Sequence, residues 1–479
     1  MPVTSAYQPD PRFMTLGDTF ADPVAPAAFP VSLIRYRNQQ AAATVGLEAL
    51  TEAEWLAHFA QFEPLPNNQP TPLAMRYHGH QFRNYNPDLG DGRGFLFAQL
   101  RENRTGRLLD LATKGSGQTP YSRTADGRLT LKGGVREVLA AAMLETLGVP
   151  TSRALSLVET GEALSRGDEP SPARSGVLTR LSHSHVRFGT FQRHAFHDRS
   201  DLVAKLTEHA LECYFPNQAG ASDPGVALME CAARATAKLT ACWMVAGFVH
   251  GVLNTDNMVV TGESFDYGPW RFLPHSDPTF TAAYFDYTGL YAFGRQPQTA
   301  FWNLEQLGGC LSLNSPSDDL IKALETFGPA YQAELATAMV ARLGLVSRGT
   351  QSDFGLAQTA FAALAEGGAA LRWEPFFFDW FGGAASELRA LEGPRKALYG
   401  GDAFRDLRRR LEGYCPARPE ALESPVFAAD LPQEMLISEV ENLWAAIAYQ
   451  EDWSPLAAKL YALDEARQAY GLAAPLGPA

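Results

Sequence analysis

Apolar and polar residues alternate at helical spacing through residues 52–63 (EAEWLAHFAQFE), and Pro64, Pro66, Pro70 and Pro72 end that run. Two apolar stretches follow, 94–100 (GFLFAQL) and 107–114 (RLLDLATK), with Asn103, Thr105 and Gly106 between them as turn residues, which predicts a pair of strands. Residues 131–147 return to helical spacing: Leu139, Met143, Leu144 and Leu147 share a face, and Gly148 and Pro150 close the segment. Two further strands are predicted at 154–158 (ALSLV) and 176–181 (GVLTRL), joined by the polar surface loop SRGDEPSPARS. From about residue 198 the pattern is helical, with a long Ala-rich helix over 226–247. After a polar stretch at 250–268 and Pro297, helices are predicted over 302–312, 317–343, 354–366, 383–392, 402–413 and 434–468. Residues 1–30, rich in Pro, Ala and Asp, are predicted to wrap the surface as irregular chain. This order gives an α+β fold with a small mixed lobe and a large, mainly helical one. The divisions are an N-terminal wrapping segment (1–70), an N-lobe (71–195) and a C-lobe (196–479) that carries the 250–268 loop and a helical extension.

Composition narrows the function. The 479 residues are 46% hydrophobic and 11% aromatic, enough for a large core and too apolar for disorder. A net charge of −13 disfavours broad binding to nucleic acid or to anionic membranes, so an anionic ligand needs Arg and Lys gathered locally. The five cysteines form no CxxC pair, which argues against a disulfide scaffold or zinc site and fits a reducing cytoplasm. No apolar run reaches membrane-spanning length, about 18 residues, and residues 1–30 carry neither a secretory nor a transit pattern.

The strongest candidate chemistry lies in His250-Gly251-Val252-Leu253-Asn254-Thr255-Asp256-Asn257 and the nearby Asp266-Tyr267-Gly268. ATP-dependent phosphotransfer of the kinase type needs one carboxylate to orient or deprotonate a hydroxyl, and an amide oxygen and a second carboxylate to hold Mg²⁺ against phosphates. The bland alternative is an Asx-rich turn. Two residues after His250 stands Val252, where an orthodox protein kinase has its aspartate, so the base must be Asp256, expected as an exposed loop carboxylate. Three weaker signals accompany it. The Gly-rich LGDGRG (89–94) suits backbone amides approaching phosphate, with Arg93 adding charge, or a hairpin turn. Lys114 ends a strand and Glu137 sits in the next helix, which is the kinase arrangement for holding phosphates or simply two solvated side chains. Arg180 and Arg187 flank LSHSHV and could clamp a phosphate if the chain curves. His183 and His185 there, and His78 and His80 upstream, read more simply as structural than as metal ligands.

These motifs together resemble the selenoprotein O family of kinase-fold protein adenylyltransferases. The resemblance runs in order through YHGHQF (77–82), LGDGRG (89–94), KGSGQTPYSRTADGR (114–128), REVLAAAM (136–143), LTRLSHSHVRFGTFQ (178–192), GFVHGVLNTDNM (247–258), FDYGP (265–269) and QPQTAFWNL (296–304). It implies a protein-kinase-like bilobal fold that binds ATP in a flipped orientation. It also implies transfer of AMP to Ser, Thr or Tyr hydroxyls of proteins, with Mg²⁺, or alternatively Mn²⁺, as the cofactor. By the same resemblance Asp256 is the catalytic base and Asn257 and Asp266 the metal ligands. Gly90, Gly92, Arg93, Lys114, Asp126, Gly127, Arg180 and Arg187 are nucleotide contacts, and Glu137 is the partner of Lys114. Many members carry a Cys or selenocysteine near the C-terminus; here Cys415 is the last cysteine, which argues against redox control by that route.

Overall fold

A computed structural model describes residues 3–472 except Asp168. Its element order is mixed first and helical later. The strands are β1 (Ala21–Pro23), β2 (Leu33–Arg37), β3 (Leu73–Met75), β4 (Gly79–Gln81), β5 (Asn84–Asn86), β6 (Leu96–Arg101), β7 (Leu108–Lys114), β8 (Leu129–Thr130), β9 (Arg153–Leu164), β10 (Ala173–Ser182), β11 (Phe248–Val249) and β12 (Arg271–Phe272). Seven of them form one antiparallel path, β1-β3-β6-β7-β10-β9-β2, with β8 paired to β10. The chain start is therefore not mere wrapping: β1 and β2 cap the two edges of the sheet. An edge strand is held by its backbone ladder and needs no strong apolar run of its own, so its pattern is faint in sequence.

Helix α1 (Gln39–Ala43) and α2 (Glu52–Phe59) precede the central strands. Thr51 and Glu54 form a reciprocal capping box that starts α2. Helix α3 (Leu131–Thr146) packs across β9 and β10, and it lies close because Gly134 leaves room for the Leu157 side chain. Below the sheet come α4 (Phe188–Phe196), α5 (Ser200–Tyr214) and α6 (Pro224–Ala246). The Asp223 side chain accepts the Val226 amide, 3.0 Å, Pro224 sits at the first turn, and left-handed Gly247 ends the helix, so both ends of α6 carry their expected sequence signals. The rest is helical: α7 (Gln296–Leu311), α8 (Ser317–Glu325), α9 (Phe327–Arg342), α10 (Thr350–Gly367), α11 (Trp373–Asp379), α12 (Glu387–Glu392), α13 (Asp402–Leu411), α14 (Ile437–Gln450) and α15 (Ser454–Tyr470).

Two predicted helices are each two. The 317–343 stretch breaks at Thr326, and 434–468 breaks at Glu451, which takes a left-handed φ of 52° just before Pro455. Helices α4, α5 and α11 were not delimited from the pattern. All seven residues of α11 (WEPFFFD) are buried, which removes the polar face that would have marked a period.

A sheet-rich N-terminal region and a mainly helical C-terminal region give the bilobal, kinase-like α+β fold. One apolar core runs through α3, α5, α6 and α7 and joins the sheet to the helices; a second fills the other face of the sheet, and a third lies among α9, α10, α11 and α13. No helix among the described residues is long and apolar enough to cross a membrane.

Candidate active site

The sheet register assembles half of the site. Lys114 pairs with Leu178 and Ala112 with Arg180 across β7 and β10. Residues two apart on a strand share a face, so Lys114 and Arg180 point to the same side, the side α3 covers. Glu137 projects from α3 to meet them, and Asp266 arrives from the loop after β11. The Lys114 ammonium donates to both Glu137 and Asp266, while Arg180 lies 3.9 Å from Glu137 and 3.5 Å from Asp266. All but Asp266 are buried. Burial alone would push the Asp266 carboxyl up; Lys114, then Arg180, Arg187 and Arg93, hold it well below the ordinary carboxylate range. Asp266 also adopts a left-handed φ of 62°, a conformation that non-glycine residues take at a cost and that aims its carboxylate back at the cations.

The 250–257 loop supplies the other half. His250 is pinned by Gln296, whose side-chain oxygen accepts its amide at 3.1 Å, and by the Phe265 carbonyl, 3.0 Å from its Nε2. Asp256 and Asn257 lie on a single 3₁₀ turn. The Asn257 amide nitrogen donates to the Val252 carbonyl at 2.9 Å, which leaves its side-chain oxygen free for a cation. The expectation of an exposed carboxylate at Asp256 is corrected by the structure: the residue is buried, 8% exposed. Its Oδ1 has no hydrogen-bond partner among the described residues. Burial raises its pKa to about 6, against the pull of Arg187. Arg187 donates to the Asp256 carbonyl at 2.7 Å and to Asp91 at 3.1 Å, and its guanidinium stacks over Tyr77 and Phe265, 4.4 and 4.8 Å from the ring centres. So Arg187 holds the 250–257 loop and the LGDGRG loop together.

The remaining predicted residues stand further out. Gly90 and Gly92 let LGDGRG pack against the Tyr121 stretch: a Cβ at Gly90 would run into the Tyr121 ring, and one at Gly92 would lie 2.9 Å from the Tyr121 carbonyl. Arg93 is exposed and acts on Asp266 through its charge. Asp126 is occupied elsewhere: its carboxylate takes Arg166 at 2.7 Å and the Arg128 amide at 3.0 Å, and none of these contacts reaches Lys114 or Asp266. Gly127 closes the same turn at φ 70°, against the Gly117 carbonyl. Asp91, Tyr77, Gln81, Thr255 and Gln192 belong to the site and were not singled out in sequence; their signal was their place inside the quoted motifs. His78 Nδ1 lies 2.8 Å from the Tyr85 hydroxyl, and His80 Nδ1 lies 2.7 Å from the Gln192 side-chain nitrogen. Among the described residues no cluster of three or more His, Cys, Asp or Glu could hold a metal alone. The residues that could hold a cation here are Asn257, through one amide oxygen, and Asp266, through one carboxylate; a kinase-type Mg²⁺ site completes such a pair with phosphate oxygens.

A family model described as protein adenylyltransferase SelO matches residues 3–463. A protein nucleotidyltransferase YdiU from Synechocystis is 43% identical over 465 residues, covering 93% of this chain and 95% of the relative. The protein of that name from Synechococcus elongatus is 42% identical, covering 94% of each chain. The one from Gloeobacter violaceus is 44% identical over 93% of this chain and 92% of its own.

Proposed function

The chain belongs to the protein adenylyltransferase SelO family and is a nucleotidyltransferase, and from that premise we propose that it transfers AMP from ATP to Ser, Thr or Tyr hydroxyls of proteins, releasing pyrophosphate. The observation that carries this reading is the Asp256 carboxylate: buried, with one oxygen unpartnered, its pKa raised to about 6, and the residue's own backbone carbonyl bonded by Arg187, one of the site's fixed cations. A buried acceptor without a donor is costly unless a ligand supplies one. A hydroxyl supplies it.

Asp256 accepts the proton of the attacking hydroxyl as its oxygen bonds to the α-phosphorus and the bond from that phosphorus to the bridging oxygen of the leaving pyrophosphate breaks. Lys114, Arg180, Arg187 and Arg93 offset the charge that grows on the phosphorus and on the leaving group, and they need no reorganisation because Glu137, Asp266 and Asp91 already hold three of them in place. With the leaving end turned inward, the buried three, Lys114, Arg180 and Arg187, are where it would lie. Asn257 and Asp266 would hold Mg²⁺, which when bound neutralises phosphate charge and orients the chain of phosphates.

Incubation with a protein acceptor and ATP-Mg²⁺, followed by mass spectrometry of intact acceptor, tests this. An adenylyl mass gain is expected. A phosphoryl gain would replace the proposal with ordinary kinase chemistry, and a uridylyl gain with UTP and Mn²⁺ alone would reassign the nucleotide. No gain with any nucleotide would leave a nucleotide-binding scaffold.

A further inference from the structure

The hairpin formed by β4 and β5 lies directly on the loop that carries the base, and its contacts fall on three consecutive residues. The Asn254 side-chain oxygen accepts the Phe82 amide at 3.1 Å and the Tyr291 hydroxyl at 2.6 Å. The Thr255 hydroxyl accepts the His80 amide at 2.7 Å and donates to the Gln192 side-chain oxygen at 2.6 Å. The nitrogen of that same Gln192 amide lies 2.7 Å from His80 Nδ1, closing a ring of His80, Thr255 and Gln192. Since the Gln192 oxygen is engaged by Thr255, its NH₂ faces the imidazole, and Nδ1 must be the acceptor. The third residue is Asp256: a Cβ on Gly79 would lie 3.0 Å from its Oδ1 and 3.2 Å from its Cβ, so the bare hairpin backbone packs against the carboxylate. The hairpin is itself held from behind. The His78 amide donates to Gly189 at 3.0 Å, and the Tyr85 hydroxyl donates to the Gln192 carbonyl at 3.1 Å. Thr255 and Gln192 are both buried, so neither hydroxyl nor amide has water as an alternative partner.

We propose that Thr255, oriented by Gln192 and the His80 amide, is a positioning residue that fixes the Asp256 carboxylate for proton abstraction, and that the β4–β5 hairpin is thereby part of the catalytic apparatus. This rests on Asp256 being the base. The clamp acts on the loop segment 254–256 and, among the described residues, makes no hydrogen bond with Lys114, Glu137 or Asp266, so it governs the chemical step and not the affinity for nucleotide. A displacement of about an ångström at a reacting group is enough to cost on the order of 100-fold in rate.

The test compares Thr255→Val, which keeps the shape and removes the hydroxyl, with Thr255→Ser, which restores it. Steady-state AMP transfer and nucleotide binding by titration calorimetry are measured on the full chain. Thr255→Val should lower kcat on the order of 10- to 100-fold while the KM and Kd for ATP stay within about twofold, and Thr255→Ser should recover most of the loss. The double variant with Gln192→Met should be no slower than the slower single one, because both break one ring. Full turnover in Thr255→Val, a loss expressed in ATP affinity, or a folded Thr255→Ser as slow as the valine variant would overturn the clamp. Asp256→Asn in the same assay separates the two readings. If that variant is active, the base assignment and the clamp fall together; if it is inactive while Thr255→Val is fully active, the clamp falls alone.

Discussion

Replacing Asp256 by Asn should abolish transfer and at the same time stabilise the ligand-free protein. Burial moves this carboxyl from its ordinary 3.8 to about 6. Each pH unit of such a difference is about 1.4 kcal/mol, so keeping the group ionised in the folded chain costs about 3 kcal/mol. Below pH 3.8 the folded and unfolded chains both carry the protonated form, and the cost is zero. Between 3.8 and about 6 the unfolded chain ionises while the folded one does not, so stability falls with rising pH. Above about 6 the full cost is present. Asn has the same shape and no charge, so its advantage over Asp should be absent at the acid end, grow through that window and level off at about 3 kcal/mol by neutral pH. Thermal melts of both proteins without nucleotide, from pH 5 to 8, measure this as a widening gap of a few degrees in midpoint. The same residue predicts that kcat/KM of the natural enzyme rises with pH through about 6, as the base ionises. A variant that melts below the natural protein at pH 8, or that still transfers AMP, would refute the picture of a strained buried base.

Lys114→Met strips the ammonium that joins Glu137 to Asp266 and leaves Glu137, 2% exposed, with Arg180 at 3.9 Å as its one ion-pair partner among the described residues; a loss of about 3 kcal/mol in denaturant unfolding and a raised KM for ATP are expected, and unchanged values of both would show that the Lys114 bridge serves neither stability nor nucleotide binding. Asp266→Asn should weaken nucleotide binding in the presence of Mg²⁺ far more than in its absence, read by calorimetric titration with and without the ion; equal effects would remove Asp266 as a ligand. Arg187→Lys loses the planar fork whose two nitrogens separately reach the Asp256 carbonyl and Asp91, so kcat should fall on the order of 10-fold or more, and full activity would show that charge alone suffices there.

The sequence by itself determined the local elements whose signals are local. The Thr51–Glu54 box, the Asp223-Pro224 start and Gly247 end of α6, and the apolar runs of β6 and β7 each need only neighbouring residues to be read. It also set Asp256, Asn257 and Asp266, the proposed base and cation ligands, within one short stretch, so their grouping could be read without knowing the fold. Tertiary structure decided what depends on partners distant in the chain. The edge strands β1 and β2 exist because β3 and β9 offer them backbone ladders. Lys114 and Arg180 face the same helix because of the β7–β10 register, and a one-residue slip would have turned either away. Asp126 is drawn off to Arg166, 40 residues away. Asp256 looked exposed because its own neighbours are polar; it is buried by a hairpin more than 170 residues earlier. Burial is a sum over atoms brought from the whole chain, so no window of sequence contains it, and the basicity of that carboxylate follows from burial.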